Sequence, residues 1–596
     1  MTIRETGPRG ADHHMPDPSS HRHSDLGQAA QPTEQEANTN TTSSSNINPG
    51  PSSSGQAGLP SANPSASYWL QPSDISQRLD DYRSTPDLPQ SADTVIVGSG
   101  ITGAFAAWFL LEQTGGTKVV VRSGSGSGAG AGSEAGKEKE ENSSSSSSSS
   151  ERDTLMLEAR RQPCSGATGR NGGHCQPFVY SASTPSIAEF ELATYQFLKT
   201  FVEEHGIAGV VDWRTLKTVH AYLTEEVWEG AKALVEKLPE ELRDQVDLVD
   251  ETCRRGKEGG EMTLRDLRVP GAKGAVVQKH AASLWPWKLV VWVLERLMER
   301  FPVGNATGQE GFNLQTNTPV LGLEKLGDGR WTVITSRGSI KANRVLLAMN
   351  GYTSNLLPEM KDLIVPVRSQ VASLRPPTQD ATSDKVAELD YSYAFVSEEQ
   401  FPRDEYLMQR PLPGGELIYG GARSHAENKA VGVWQDDEVE RGVATYLRQN
   451  LAPYPLDLTL DKTGSTPPDI PKEGNEITEL EATHQWTGIM GFSRDSHPWV
   501  GRVPESLGGG ENLYMCAGYT GHGMPQAALA ARMIVEEITG KPFADDGLKL
   551  PQEMVLTEER VRWVRENTKT LLKEQQQAPE WSATMPELLT ATERRA

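Results

Sequence analysis

The chain has 596 residues, with 58 basic and 80 acidic side chains and a formal net charge of −22. This excess of negative charge repels phosphate backbones and anionic membrane surfaces, so we expect no nucleic-acid partner. The four cysteines form neither a disulfide scaffold nor a CxxC metal pair, and no apolar leader or membrane-spanning run is found. We therefore expect a cytoplasmic protein without a bound metal, whose cysteines are Cys164, Cys175, Cys253 and Cys516.

Two stretches of biased composition interrupt the chain. Residues 1–66 are rich in Ser, Asn, Pro, Gln, Gly and His and have almost no large apolar residue, which predicts a disordered tail. Residues 123–150 are a Ser/Gly-rich tract with strong apolar runs on both sides. This tract is predicted to be a flexible loop inserted into a folded domain.

The rest of the sequence alternates between strand-like and helix-like segments. Residues 93–112 predict a strand, a tight turn and an apolar helix in succession, and residues 154–158 predict a second strand. Later helices are predicted at 225–238, 287–301, 436–450, 526–538 and 556–573. Later strand-like segments lie at 210–223, 312–325, 330–336, 344–350, 365–374, 416–422, 486–500 and 512–517.

The first turn contains the pattern GSGITG, from Gly98 to Gly103, between a predicted strand and a predicted helix. In a dinucleotide-binding turn the first glycine permits the tight turn, and the second, here Gly100, lets a pyrophosphate approach the backbone. The third glycine lets the helix pack closely on the strand, and the amides at the start of the helix face the anion. A Gly-rich structural turn without a nucleotide is the alternative.

An acidic residue after the second strand is expected to accept hydrogen bonds from the ribose hydroxyls of the nucleotide. Glu158 in the segment TLMLEAR has this position. It follows Gly98 by 60 positions, 28 of which belong to the Ser/Gly-rich tract. The turn and this acidic residue do not distinguish a nicotinamide cofactor from a flavin.

Four segments together resemble a known family. LEAR at 157–160 and CSGATGRNGGH at 164–174 resemble the D-amino-acid oxidase superfamily of FAD-dependent oxidoreductases, in particular its glycine and amine oxidase branch, which includes gamma-glutamylputrescine oxidases. RVLLAMNGY at 344–352 and NLYMCAGYTGHGM at 512–524 fall where the family places its later cofactor segments. The resemblance implies bound FAD, held by Gly98, Gly100, Ile101, Thr102, Gly103, Glu158, Ala159, Arg160, Ala167, Thr168, Gly169, Arg170, Asn171, Gly172, Gly173, Asn350, Gly351, Gly518, Tyr519, Thr520, Gly521, His522, Gly523 and Met524.

The resemblance also implies a reaction. In the family, a hydride leaves a carbon next to an amine for the flavin, the imine hydrolyses to a carbonyl compound, and oxygen normally reoxidises the flavin to give hydrogen peroxide. The expected partners are a small amine or amino acid and oxygen. A dehydrogenase with another electron acceptor is one alternative, and a flavin-fold protein with a trafficking or regulatory role and no catalysis is another.

The same comparison bears on single residues. His522 in the turn GYTGHGM is the candidate catalytic residue, with a loop-packing histidine as the alternative. The segment TGIMGFSRDSHPWVG lacks the cysteine that tethers the flavin in sarcosine-oxidase relatives, so FAD is expected to bind noncovalently. Met524 stands in the stretch where those relatives carry a substrate-binding lysine, which disfavours a simple N-methyl amino acid. Arg368, Tyr419 and Arg423 are possible substrate contacts or ordinary sheet and surface residues.

The implied fold class is α/β, a Rossmann-like FAD-binding domain of the glutathione-reductase type with an inserted antiparallel-sheet substrate domain. We expect the FAD-binding domain at 67–180, 276–360 and 484–545. The substrate domain is expected at 181–275 and 361–483, and a helical carboxyl-terminal tail at 546–596. The active site should lie where the two domains meet.

Overall fold

Two β-sheets organise the computed structural model, one with eight strands and one with nine among the described residues. The structure describes residues 55–71, 79–114, 153–251, 262–304, 310–380, 383–398, 402–458 and 479–577. The predicted Ser/Gly-rich loop at 123–150 and residues 1–54 of the predicted tail lie outside the described residues.

The elements are numbered here in chain order. The strands are β1 Ser91–Val97, β2 Thr154–Leu157, β3 His174–Cys175, β4 Arg214–Tyr222, β5 Val246–Val249, β6 Gly274–Ser283, β7 Phe312–Gln315, β8 Val320–Lys325, β9 Trp331–Thr335, β10 Gly338–Leu347, β11 Ile364–Leu374, β12 Thr378–Asp380, β13 Ser383–Val386, β14 Tyr391–Ser397, β15 Arg403–Gln409, β16 Leu417–Gly421, β17 Ala482–Ser493, β18 Trp499–Arg502 and β19 Leu513–Ala517. The helices are α1 Ile101–Thr114, α2 Pro185–Glu204, α3 Glu225–Lys237, α4 Glu240–Arg243, α5 Pro286–Arg300, α6 Thr353–Leu356, α7 Arg441–Gln449, α8 Ala527–Thr539 and α9 Glu558–Gln577.

The first sheet has the strand order β18-β19-β10-β1-β2-β7, with the β8–β9 hairpin added beside β10. Strands β19, β10, β1, β2 and β7 are mutually parallel. The short apolar runs of β1 and β2 suit this position, because both faces of a parallel sheet are covered and every residue of β2 is buried. The parallel order brings the carboxyl ends of β1, β2 and β10 to one edge.

Helix α1 is enclosed on nearly all sides. Its first twelve residues, ITGAFAAWFLLE, are all buried, which explains why the sequence is apolar around the whole helix. Phe105 lies 5.3 Å from Phe201 of α2 between ring centroids, and Trp108 lies 6.3 Å from Trp292 of α5. The start of α1 is thereby held rigidly at the end of β1.

The second sheet has the order β17-β11-β16-β15-β14-β4-β6-β3, and β5 pairs with β6. Its pairs are antiparallel as the resemblance implies, except for β14 and β4, which run parallel. Strand β11 pairs with β17 over almost its whole length, from Ile364 opposite Ser493 to Leu374 opposite Ala482. Arg423, just after β16, and residues of β14 and β15 lie opposite the edge of the first sheet, across a cavity that both sheets line.

Several predicted domain boundaries differ from the sheets. Residues 276–283 of β6 fall in the predicted second FAD-binding segment and residues 484–493 of β17 in the third, but both strands belong to the second sheet. So does the two-residue strand β3, predicted within the first segment. A strand's alternation shows that it pairs but not with which partner, so the sheet to which it belongs is decided by distant segments.

Helix α2 was missed by the sequence reading. It lies within the segment predicted for the substrate domain, yet Phe201 of this helix packs on α1 of the nucleotide-binding part. Pro185 at the first position of the helix and the spacing of its apolar residues would have predicted it. The buried apolar residues are Ile187, Ala188, Phe190, Tyr195, Leu198, Phe201 and Val202.

Part of the predicted disordered tail is folded onto the rest of the chain. Residues 55–66 are ordered, because the Ala57 amide donates to Ser354 Oγ at 2.9 Å and the Ser65 amide donates to the Asp436 carbonyl at 2.7 Å. Helix α9 packs on the first sheet, with Arg560 donating two hydrogen bonds to Asp495. None of the helices in the described residues is both long and apolar enough to cross a membrane.

Candidate active site

A cavity of about 450 Å³ opens where the carboxyl ends of β1, β2 and β10 face the second sheet. This is the edge at which ligands bind in open α/β sheets. Of the predicted site residues, it is lined by Gly98, Gly100, Ile101, Thr102, Glu158, Ala159, Arg160, Ala167, Thr168, Arg170, Asn171, Gly172, Asn350, Tyr519, Thr520, Gly521, His522, Gly523 and Met524.

The remaining predicted residues shape the backbone behind the cavity wall. A Cβ atom on Gly103 would lie 2.1 Å from the Gly98 carbonyl oxygen, so α1 can pack on the β1 turn only with a glycine there. A Cβ on Gly169 or Gly351 would meet a backbone carbonyl at 2.4 or 2.7 Å. The last two, Gly173 and Gly518, have φ angles of +66° and +86°.

The turn after β1 has the geometry expected for an anion site. Gly98 has φ of +106°, and a Cβ there would lie 2.6 Å from the Ala348 carbonyl oxygen. Helix α1 begins at Ile101 and has no acidic residue in its first turn. The partial positive charge at the start of α1 is thus not neutralised by a side chain of that turn.

Glu158 lies at the end of β2, beside the glycine turn. Its Oε2 accepts a hydrogen bond of 2.5 Å from the Ser99 hydroxyl, and its Oε1 accepts one of 2.9 Å from the Arg160 amide. Strand β2 is the direct parallel neighbour of β1. Most of the 60 positions between Gly98 and Glu158 belong to α1 and to residues 115–152, which follow it in the sequence. The carboxylate lines the cavity, where a ribose could reach it.

Arg170 has a different environment from the one expected of a phosphate-binding arginine. Its side chain is fully buried, lies 3.3 Å from Asp436, and donates to the Thr487 carbonyl and to Ser65 Oγ. Burial lowers the pKa of Arg170 to about 10, so it stays charged at neutral pH. Asp436 also accepts a 2.6 Å bond from Arg160, so one buried carboxylate holds both arginines.

The later two motifs meet at Asn350. This residue has φ of +47°, and its Oδ1 accepts hydrogen bonds from the Gly518 amide at 3.0 Å and the Tyr519 amide at 3.4 Å. The Tyr519 hydroxyl lies 2.9 Å from Thr102 Oγ1 at the start of α1. The segments 344–352 and 512–524 are therefore joined to each other and to the glycine turn, as the resemblance implies.

His522 lines the cavity and contacts two side chains outside its own turn. Its Nε2 lies 2.9 Å from Oε2 of Glu191 on α2. Its ring stacks on Phe178, with centroids 3.8 Å apart and planes 13° from parallel. The sequence reading proposed His522 but neither of these partners.

Part of the wall opposite the cofactor motifs is polar and neutral, although Asp404, Glu405 and Arg423 line the same cavity. His220 contacts the Tyr180 hydroxyl through Nδ1, and the Tyr180 hydroxyl contacts that of Tyr222. Burial lowers the pKa of both His174 and His220 to about 3, and it raises the pKa of Tyr180 well above its usual value. All of these groups are therefore neutral at physiological pH.

The sequence reading missed this wall and Tyr406, which also lines the cavity. A Cβ on Gly172 would lie 2.1 Å from the Tyr406 ring, so that glycine makes room for the tyrosine. Of the three possible substrate contacts, Arg423 lines the cavity, whereas Arg368 and Tyr419 do not. No local sequence signal would have placed Tyr406 beside Gly172, because the two lie on different elements.

These residues fit FAD. The glycine turn and the start of α1 suit a pyrophosphate, and the Glu158 carboxylate suits ribose hydroxyls. The loop at 167–172 and the turn at 519–524 line the same cavity, in which a flavin would lie between the two sheets. Fold and site together define a nucleotide-binding protein with two sheets and a ligand cavity between them.

Comparison with known proteins places the chain within that class. The family model described as FAD dependent oxidoreductase (DAO) matches residues 148–537, about two thirds of the chain, and the chain belongs to this family. Its cofactor is FAD. The match begins after the glycine turn, which lies upstream of residues 115–152.

The relatives are distant in sequence. The chain is 22% identical over 479 residues to a probable oxidoreductase OrdL of Rhizobium meliloti (strain 1021), covering 78% of this chain and 87% of the relative. It is 24% identical over 212 residues to gamma-glutamylputrescine oxidoreductase of Escherichia coli (strain K12), covering 35% and 39% of the two chains.

Solved structures confirm the fold. Glycine oxidase from Geobacillus kaustophilus superposes with a TM-score of 0.51 at 15% identity, covering 78% of this chain and 99% of that one. L-proline dehydrogenase from P. horikoshii superposes with a TM-score of 0.52 at 16% identity, covering 80% and 99%.

Proposed function

We propose that this protein oxidises a small amine or amino acid at a carbon–nitrogen bond. The observation that carries the proposal is one cavity with the cofactor motifs on one side and, on the other, neutral histidine and tyrosine side chains together with Arg423. The names of the relatives support it, since they include a gamma-glutamylputrescine oxidoreductase, a glycine oxidase and an L-proline dehydrogenase.

The residues of the chain have separate tasks in this proposal. The glycine turn and Glu158 hold the nucleotide half of FAD. The wall around His220 and Tyr180 presents neutral side chains to the substrate and keeps water from the reacting carbon. Arg423 supplies a positive charge for a substrate carboxylate, although it also lies 3.5 Å from Asp404.

FAD held by the glycine turn and Glu158 would supply the acceptor for a hydride and its two electrons, and oxygen would be the final oxidant, giving hydrogen peroxide. The nitrogen lone pair forms the C=N bond of the imine as the hydride leaves. Water then adds to the imine and releases a carbonyl product and an amine or ammonia.

We infer that FAD is held noncovalently. Cys164 is the described cysteine that lines the cavity, and burial raises the pKa of its thiol well above its usual value. A protonated thiol is a poor nucleophile for attachment to the flavin ring. Acid precipitation of the holoprotein is expected to leave the flavin in the supernatant, and a yellow pellet would contradict this inference.

The proposed reaction is tested by mixing the holoprotein anaerobically with polyamines, acylated diamines and amino acids while the flavin absorption band is followed. Bleaching by one compound, with formation of its carbonyl product, is expected. Admitting oxygen then distinguishes an oxidase, which recovers its band and forms peroxide, from a dehydrogenase. A flavin band that none of these compounds bleaches would refute the proposed substrate class and favour a regulatory flavoprotein.

A matched pair of glycine variants tests the phosphate turn. Gly100→Val places a branched side chain where the pyrophosphate must approach, so the purified protein should lack FAD. Gly209→Val is the control, because a Cβ at Gly209 meets no other atom within 4 Å. Equal FAD content in the two variants would show that the nucleotide does not bind at this turn.

A further inference from the structure

Glu191 is a buried acid on the helix that the sequence reading missed. Its side chain is 2% exposed. Oε2 accepts a 2.7 Å hydrogen bond from the Phe178 amide, and Oε1 accepts one of 2.7 Å from Gln526 Nε2. Both oxygens thus act as acceptors, which is the hydrogen-bonding pattern of a carboxylate. The same Oε2 lies 2.9 Å from His522 Nε2.

This arrangement selects one tautomer of His522. An acceptor oxygen at 2.9 Å requires the ring proton to be on Nε2, so in a neutral imidazole Nδ1 carries the lone pair. Phe178 fixes the plane of the ring by stacking. His522 is 15% exposed and lines the cavity, and Nδ1 has no hydrogen-bond partner among the described residues.

The other histidines that line the cavity have different partners. Both ring nitrogens of His220 are occupied, by the Tyr180 hydroxyl and by the side-chain amides of Gln176 and Gln278. His174 contacts Ser392 Oγ at 2.8 Å. Among the histidines that line the cavity in the described part of the chain, only His522 contacts a carboxylate.

We propose that Glu191 is the positioning residue that makes His522 the proton acceptor for the substrate amine. The inference rests on the proposed function, because an alkylammonium ion has no lone pair with which to form the C=N bond. The ammonium N–H bond breaks, its proton moves to Nδ1 of His522, and the electron pair stays on the substrate nitrogen. The imidazolium that forms is compensated by the Glu191 carboxylate.

The neighbouring histidine and tyrosine side chains are neutral, so the charge near His522 is that of Glu191. His174 and His220 are held neutral by burial, which lowers the pKa of each to about 3. Burial raises the pKa of Tyr180 and of Tyr519 well above the usual value. A proton taken up at His522 is therefore stabilised by one nearby carboxylate and opposed by no nearby fixed cation among these groups.

The tautomer can be observed directly in ¹⁵N NMR spectra of the holoprotein with labelled histidine rings. His522, assigned by comparison with His522→Ala, should show a protonated Nε2 and an unprotonated Nδ1. Glu191→Met removes the acceptor at similar volume, so the two tautomers should become mixed. A protonated Nδ1 in the wild-type protein, or an unchanged spectrum in Glu191→Met, would overturn the proposal.

The second readout is the rate of anaerobic flavin reduction by a substrate found in the panel above. Glu191→Met should lower the limiting rate by about 100-fold, the lower end of the range for a general base, with little change in the substrate concentration giving half the limiting rate. Glu191→Gln retains the shape of the side chain without its charge, so its limiting rate should lie between those of the wild-type protein and Glu191→Met. Glu189→Met on the same helix is the control, because Glu189 is exposed.

The outcomes separate the two proposals. If the wild-type protein is reduced by an amine but Glu191→Met and Glu189→Met reduce at the same rate, the positioning role is refuted while the proposed function stands. If no amine reduces the wild-type protein, the proposed function fails, and the NMR spectrum still decides the tautomer. If Glu191→Met does not fold with FAD, the wild-type spectrum and the rate of Glu191→Gln decide.

Discussion

Asp436 joins the second sheet to the cofactor loops, and its replacement by asparagine tests how much that junction stabilises the protein. The side chain is 1% exposed, and it lies 2.6 Å from Arg160 and 3.3 Å from Arg170. Asp436→Asn keeps the volume and one acceptor oxygen but leaves both arginines without their buried counter-charge. The loss should affect Arg170 more than Arg160, because Nη1 of Arg170 already has no hydrogen-bond partner.

The loss of unfolding free energy can be estimated from the energy of a buried charge pair. A unit-charge pair at 4 Å is worth about 4 kcal/mol at an effective dielectric constant of 20, before the cost of removing the charges from water is subtracted. Removing one partner of a buried ion pair typically costs about 3 to 5 kcal/mol, because the other charge stays buried. We expect Asp436→Asn to lower the free energy of unfolding by that amount.

Urea unfolding followed by tryptophan fluorescence measures the effect. Asp437→Asn is the matched control, because the same substitution one position later alters an exposed side chain and should change stability by less than about 0.5 kcal/mol. If the two variants unfold at the same urea concentration, the ion pairs at Asp436 do not hold the sheets together. The junction would then depend on the apolar contacts alone.

Three further predictions concern single side chains. Glu158→Ala should weaken FAD binding by about 10- to 100-fold in a fluorescence titration, the loss expected for hydrogen bonds to a charged group, and an unchanged affinity would place the ribose elsewhere. Burial lowers the pKa of His220 to about 3, so the unfolded chain binds a proton between about pH 6.5 and 3 that the folded chain does not, and stability falls as the pH falls through that window. His220→Asn should reduce the slope of unfolding free energy against pH there by up to about 1.4 kcal/mol per unit, and an identical slope would show that His220 does titrate when folded. Burial raises the pKa of the Cys516 thiol to about 12, so a disulfide reagent at pH 8 should label it only after denaturation, and rapid labelling of the native protein would contradict its enclosure.

The cofactor half of the site could be predicted because its signals are local. A glycine at Gly98 or Gly103 is required by its own torsion angle or by the atom that a Cβ would touch. The order strand, glycine turn, helix is visible in a window of about twenty residues. Glu158 required one more step, since residues 115–152 lie between it and the turn, but its place after an apolar strand was still local.

The substrate half could not be predicted in the same way. The predicted boundaries divide β6 and β17 from the rest of the second sheet, because the local sequence of a strand does not show which sheet it joins. The polar wall depends on the pairing of β4 with β6, and β3 with β6, along the second sheet. Burial determines whether a histidine such as His220 is charged, and burial is a property of the assembled fold.

The amino-acid sequence by itself showed a glycine turn between a strand and a helix, an acidic residue after the second strand, and segments that resemble FAD-dependent oxidoreductases. Only the tertiary structure decided that His522 contacts Glu191, which lies 331 positions away. It also decided that Arg170 is held by Asp436. Glycine torsions and apolar periodicity act between near neighbours in the chain, whereas a buried hydrogen bond or ion pair exists only after distant elements have packed.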